Sequence, residues 1–176
     1  MMVEGGRVDH ANHGGNIYRT VTDAMAYQEA VQYAIAHTSD EDTLIIATAD
    51  HSHGLEFQAY CGRGSKVNGL CYDTDGLGER HSDSPVTGDD GLPFTVMGFM
   101  NGAGSLLRAG GSNELIAGKR RVVTQEMAVS ADYQQEAIIA KGEESHSGTD
   151  VGEAVRLALS MALPACFSMS ETVLSG

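Results

Sequence analysis

The stretch from Thr22 to His53 constrains the fold more than any other part of the chain. From Thr22 to His37 it reads TDAMAYQEAVQYAIAH, and Ala24, Tyr27, Val31, Ala34 and Ile35 recur at helical spacing to make one apolar face. Asn16 or Thr22 is placed to cap that helix. TSDED then makes a polar turn, and Leu44, Ile45, Ile46 and Ala47 form a short continuous apolar run. An unbroken run of that length predicts a strand buried on both faces, as in a parallel sheet. Helix, short turn and buried strand together predict an α/β architecture. TADHSH follows at residues 48–53, at the carboxyl end of the expected strand. In open α/β sheets the ligand crevice lies outside those strand ends.

The chain has 176 residues, the size of one ordinary domain, with 41% hydrophobic and 20% charged residues, a globular balance. It contains no apolar run of about 18 residues that would span a membrane, and no basic stretch leading into an apolar one as in a signal peptide. The formal net charge of -13 repels a nucleic-acid backbone and argues against DNA or RNA as partner. An acidic chain that handles an anionic substrate needs metal ions or arginines at the site. Three cysteines, Cys61, Cys71 and Cys166, lack CxxC spacing, so one disulfide is possible and the redox compartment stays open.

Residues 60–93 are rich in Gly, Ser and Asp and read as loop. PFTVMGFMNG at 93–102 reads as a second strand, NGAGS and AGGSNE read as turns, and 121–139 carries no strong periodicity. Near the end, Ala154, Leu157, Ala158, Met161 and Ala162 would share one face of a helix.

Three clusters carry metal-binding chemistry. Glu4, Asp9, His10 and His13 crowd the first; Asp9 and His13 are four apart, which on a helical turn puts both on one face. Carboxylate oxygen with imidazole nitrogen suits zinc. Asp50, His51 and His53 form the second, and His146 in EESHSGTD is a third nitrogen donor. Each cluster taken singly also reads as a solvated loop. Together they offer about six donors, enough for two or three divalent ions that would clamp the attacking and leaving oxygens of a phosphoryl displacement.

At this point the residues resemble the alkaline phosphatase family. VEGGRVDHANH is similar to that family's VEGGRIDHxxH segment, and TADHSH to its strand-end metal motif. The YCGRGS and NGL segments, FTVMGFMNGAG, and DYQQEAIIAKGEESHSGTDV resemble further family segments in the same order, from Val3 to Val151. The resemblance implies part of a three-layer sandwich with a mostly parallel central sheet. Residues 1–151 would be a C-terminal portion of the domain, with a loop-rich insert within 60–128, and 152–176 a divergent tail. It implies two zinc ions and one magnesium: Glu4 on magnesium, Asp9, His13 and His146 on the first zinc, Asp50 and His51 on the second. His53 would hydrogen-bond Asp9, and His10 would contact phosphate through water. The implied reaction is hydrolysis of phosphate monoesters through a phosphoserine, by a homodimer when full length, in a periplasmic, extracellular or membrane-anchored setting.

The sequence also departs from the family. No Asp-Ser-Ala nucleophile segment occurs, and Ser84 in SDSP has no matching context. Arg7 and Arg63 are not at the position of the family's phosphate-clamping arginine. The nucleophile, that arginine and part of the magnesium site are therefore expected upstream of Met1, and the isolated chain is expected to be inactive. The tail after Val151 also departs from the family and reads as a truncated or out-of-frame end. Two other readings compete: a related metal-dependent phosphodiesterase or sulfatase, and a non-catalytic metal-binding fragment.

Overall fold

A computed structural model describes residues 1–109, 115–118, 120–151 and 153–155. In chain order its elements are α1 (Arg7–His13), α2 (Ile17–Ala36), β1 (Ile46–Thr48), β2 (Ser52–His53), β3 (Leu55–Phe57), β4 (Tyr72–Thr74), β5 (Arg80–Pro85), β6 (Met97–Gly102), β7 (Leu107–Ala109), β8 (Leu115–Ala117), α3 (Gln125–Ala128), β9 (Ala137–Ala140), β10 (His146–Ser147) and β11 (Glu153–Val155). The chain is α/β, as its helix–turn–strand pattern implies.

The helix expected from Thr22 begins five residues earlier, at Ile17, and Asn16 is its cap: the Asn16 side chain accepts from Arg19 N–H at 2.9 Å. The same side chain donates to the Ala131 carbonyl at 2.8 Å, so one residue both starts α2 and ties it to the far end of the chain. Of the expected apolar face, Tyr27, Val31, Ala34 and Ile35 are half-buried, whereas Ala24 is exposed.

The Leu44–Ala47 run does not form a doubly buried strand in a parallel sheet. Only Ile46–Thr48 is strand, and it pairs antiparallel with β11. Leu44 is 62% and Ile46 54% exposed. Among the described residues β1 has one neighbour along one edge, and no layer covers Leu44 or Ile46, so apolar continuity did not translate into burial. The tail differs too: Ala154, expected on a helical face, lies in β11, and Leu157, Ala158, Met161 and Ala162 lie outside the described residues.

The expected second strand forms as β6, the centre of a three-stranded sheet of order β3-β6-β9. Phe99 of β6 faces Leu55 antiparallel on one side and Ala137 parallel on the other. Phe99 is buried, as are Val96 and Ile17. Gln135 locks this sheet to the helices: its buried side-chain oxygen accepts from Ile17 N–H at 3.0 Å, and its N–H donates to the Gly15 carbonyl at 2.9 Å. Gly15 has φ +62, a left-handed turn that glycine makes without steric cost, and it separates α1 from α2.

Residues 60–93 are not all loop. β4 and β5 make an antiparallel hairpin within them. Its turn is DGLGE, where Asp75 Oδ1 accepts from Leu77 N–H at 2.8 Å and Glu79 N–H at 3.0 Å, and Gly78 takes φ +80. The strands read as loop because β5, RHSDSP, is mostly exposed and so shows no apolar alternation. Cys61 and Cys71 form a disulfide at the base of this hairpin. Leu70, Tyr72, Val123, Ala128 and Tyr133 are buried together, Tyr72 being the first residue of β4. The AGGSNE turn falls largely outside the described residues.

Candidate metal centre

Three segments separated along the chain meet at one carboxylate. α1 carries Asp9 and His13 one helical turn apart, as their spacing predicts. His51 lies just before β2, which carries His53, and β2 pairs antiparallel with β10 so that His53 stands directly opposite His146. The two-residue ladder is reinforced by Ser52 Oγ, which donates to the Ser147 carbonyl at 3.1 Å.

Around Asp9 Oδ1 lie His53 Nε2 at 3.1 Å, His13 Nε2 at 3.3 Å, His146 Nε2 at 3.3 Å and His51 Nε2 at 3.6 Å. His13 Nε2 and His146 Nε2 are 3.2 Å apart, and the rings of His51 and His146 stack with centroids 3.4 Å apart. Burial works against the Asp9 carboxylate, but the charges of His13, His53 and His146 and a hydrogen bond with His53 outweigh it and hold its carboxyl below the usual aspartate range. Asp9 is therefore in the anionic form a cation needs.

The tautomer of His13 follows from geometry. Its Nδ1 lies 2.6 Å from the Glu144 carbonyl oxygen, which can only accept, so Nδ1 carries the proton and Nε2 presents a lone pair to the cluster. Outer hydrogen bonds of this kind orient metal-binding histidines in general.

Of the residues singled out in the sequence, Asp9, His13, His51, His53 and His146 come together. His51 lies between two carboxylates, its Nε2 3.6 Å from Asp9 Oδ1 and 3.6 Å from Asp50 Oδ2, and so adjoins both Asp9 and Asp50. Asp50 is largely exposed, with Oδ2 3.6 Å from His51 Nε2 and Oδ1 accepting from His51 N–H at 3.1 Å. Glu4 and His10 are exposed and lie outside the clusters found among the described residues.

Glu144 is the residue that sequence reasoning passed over. Its side chain is fully buried, and its Oε2 accepts from His53 Nδ1 at 2.6 Å while Oε1 accepts from Gly54 N–H at 2.6 Å. The signal available was EESHSG itself, a carboxylate two residues from a histidine. An open cleft, lined by His13 and by 141–146, leads to this group of side chains.

One carboxylate surrounded by converging imidazole nitrogens, three of them backed by carbonyl or carboxylate oxygens on the other ring nitrogen, defines a candidate carboxylate–imidazole centre for a divalent metal on an α/β scaffold. Comparison with known proteins carries the assignment further. The alkaline phosphatase family profile matches residues 1–156. The tissue-nonspecific alkaline phosphatase of Felis catus is 34% identical over 152 residues, 86% of this chain and 25% of that protein. The same isozyme of Homo sapiens is 32% identical over the same shares. This chain belongs to the alkaline phosphatase family. It spans about a quarter of the length of the curated relatives it matches.

Proposed function

We propose that this chain supplies the metal-binding part of an alkaline phosphatase active site, which hydrolyses phosphate monoesters through a phosphoserine intermediate. The observation that carries the reading is the convergence of four imidazoles on Asp9 from three segments. Family membership supplies the reaction class.

The donor chemistry fits zinc. Asp9, His13 and His146 would hold one zinc, Asp50 and His51 a second, and Glu4 a magnesium. The bound ions would supply positive charge for the phosphate and lower the pKa of a coordinated hydroxyl. What the chain's own residues do is separable from the ions. Asp9 brings fixed negative charge, and His13 presents Nε2 because Nδ1 is engaged by a backbone carbonyl. The β2–β10 ladder holds His53 and His146 opposite each other. His10, exposed on α1 toward solvent, would reach phosphate through water. The cation charge would bring a phosphate monoester to a protein that is otherwise strongly acidic.

The nucleophile is the part this chain does not match, since it has no Asp-Ser-Ala segment. The reading is thus of a metal-ligand portion that turns over little by itself. The Cys61–Cys71 disulfide suits an oxidising compartment, consistent with an exported or membrane-anchored enzyme. No described helix is long and apolar enough to cross a membrane. A homodimer is proposed for the complete enzyme.

The test is zinc uptake and p-nitrophenyl phosphate hydrolysis by the purified 176-residue chain. The expected result is stoichiometric zinc binding with negligible turnover. Zinc-dependent turnover at the rate of a complete family enzyme would overturn the assignment of the nucleophile to another segment. Absence of zinc binding would overturn the metal centre.

A further inference from the structure

Glu144 is buried to 2% exposure, and three of its groups are spent on the candidate centre. Its backbone carbonyl accepts from His13 Nδ1, Oε2 accepts from His53 Nδ1, and Oε1 accepts from Gly54 N–H, each at 2.6 Å. Its own N–H donates to the His13 carbonyl at 3.0 Å. Its neighbour Ser145 is held in turn: Asn101 Oδ1 accepts from Ser145 N–H at 3.0 Å and from Ser145 Oγ at 3.2 Å. The space beside Glu144 is equally specified. A Cβ on Gly54 would lie 3.3 Å from Glu144 Oε1 and 3.3 Å from Met100 Cβ, so position 54 has little room for a side chain.

From this we infer that Glu144 is the positioning residue of the metal centre, setting the ring of His13 through its backbone and the ring of His53 through its carboxylate. The inference rests on the metal-centre reading above. A buried carboxylate costs free energy unless its oxygens are matched by donors, and here both are. The two matched donors sit at either end of one dipeptide, the ring of His53 and the N–H of Gly54. The carboxylate therefore pins both the rotation of the imidazole and the strand end from which it projects. His53 Nε2 is then directed at Asp9 Oδ1, 3.1 Å away. Both Glu144 carboxylate oxygens are engaged, by His53 Nδ1 and by Gly54 N–H, so it acts as a positioning residue and not a catalytic one.

Glu144→Gln tests this in the full chain. A glutamine has one acceptor oxygen where the carboxylate has two, so with that oxygen on Gly54 N–H its NH2 faces His53 Nδ1, which can then no longer donate to position 144 and must take the other tautomer. Zinc affinity, read by competition with a chromophoric chelator, is expected to fall about 10–100-fold, the usual loss for an outer partner of a metal ligand. The cobalt(II) visible spectrum is expected to change with it. In a His53→Ala background the same substitution is expected to change affinity by no more than about twofold, because the side-chain route runs through His53. A purely structural role predicts equal losses in both backgrounds and would overturn the inference.

Ring-nitrogen NMR of the metal-free wild-type chain serves where the variant does not fold. Protons on Nδ1 of both His13 and His53 are expected, and their absence from either ring overturns the assignment. Two results separate this inference from the reading beneath it. If wild type takes up no zinc, the metal centre fails and Glu144 with it. If wild type binds zinc and Glu144→Gln matches it in affinity and spectrum, only the role of Glu144 fails.

Discussion

His13 and Glu144, 131 residues apart in sequence, grip each other twice: the His13 ring donates from Nδ1 to the Glu144 carbonyl at 2.6 Å, and Glu144 N–H donates to the His13 carbonyl at 3.0 Å. This reciprocal pair joins the end of α1 to the segment before β10, and so brings Asp9 and His13 to His146.

Removing a donor at the centre should cost more than removing a group behind it. Asp9→Asn and His146→Ala are each expected to weaken zinc binding by at least the roughly 10–100-fold typical of an outer-partner loss. The far-ultraviolet circular dichroism should stay unchanged, because both side chains are partly exposed, Asp9 at 32% and His146 at 47%. Chelator competition reads the affinity, and retained wild-type binding in both variants would exclude them as ligands.

The Cys61–Cys71 bond, with a sequence separation of 10, restricts the unfolded chain just ahead of the β4–β5 hairpin. Closing a loop of that length is worth about 3 kcal/mol in the chain-entropy account. Cys61→Ser, or a reductant on the wild type, is expected to lower the midpoint of thermal unfolding. Equal midpoints with and without reductant would show that the bond contributes nothing.

Asp90 answers to acid. Hydrogen bonds from the Arg120 guanidinium, one of 2.7 Å from Nε, and from the Leu92 N–H hold its carboxyl at about 2, against 3.8 for a free aspartate. The folded value lies below the unfolded one, so the stabilisation is complete above 3.8 and fades as pH falls from there toward about 2. Asp90→Asn is expected to lose this contribution above that window, so the gap in thermal midpoint between wild type and variant narrows as the pH is lowered through it. The group is exposed, so the gap is expected to be small and to shrink in salt. A gap independent of pH would contradict the assignment.

Asn16 holds two ends of the fold at once. Asn16→Ala removes the cap on α2 and the bond to the Ala131 carbonyl, and is expected to cost about 1–2 kcal/mol. Asn16→Ser keeps a capping oxygen and should recover part of that loss in a urea-unfolding series. A cost under about 0.5 kcal/mol for the alanine variant, the floor for loss of a cap, would show that the cap is not formed.

Much of the centre was legible in the chain itself, because its chemistry is local. Asp9 and His13 share a face of α1 through i,i+4 spacing alone, and the TADHSH cluster announces itself by composition. The α2 helix was legible for the same reason, since 3.6-residue periodicity is a property of consecutive residues. The β4–β5 hairpin was not, because its strands are too exposed to show alternation. The fate of Leu44–Ala47 was not legible either. An apolar run states what a segment tolerates, while its neighbours decide whether it is covered, and here Leu44 and Ile46 stay exposed.

What only the tertiary structure decided is which donors meet and what holds them. The register of β2 against β10 sets His146 opposite His53. The fold also brings His51 to the same carboxylate as His13 and His146, and makes Glu144 a buried acceptor for two histidines. Those relationships depend on hydrogen bonds between residues some 90 to 130 positions apart. No local pattern encodes such a contact; it forms only when the whole chain has packed and the buried carboxylate has found its donors.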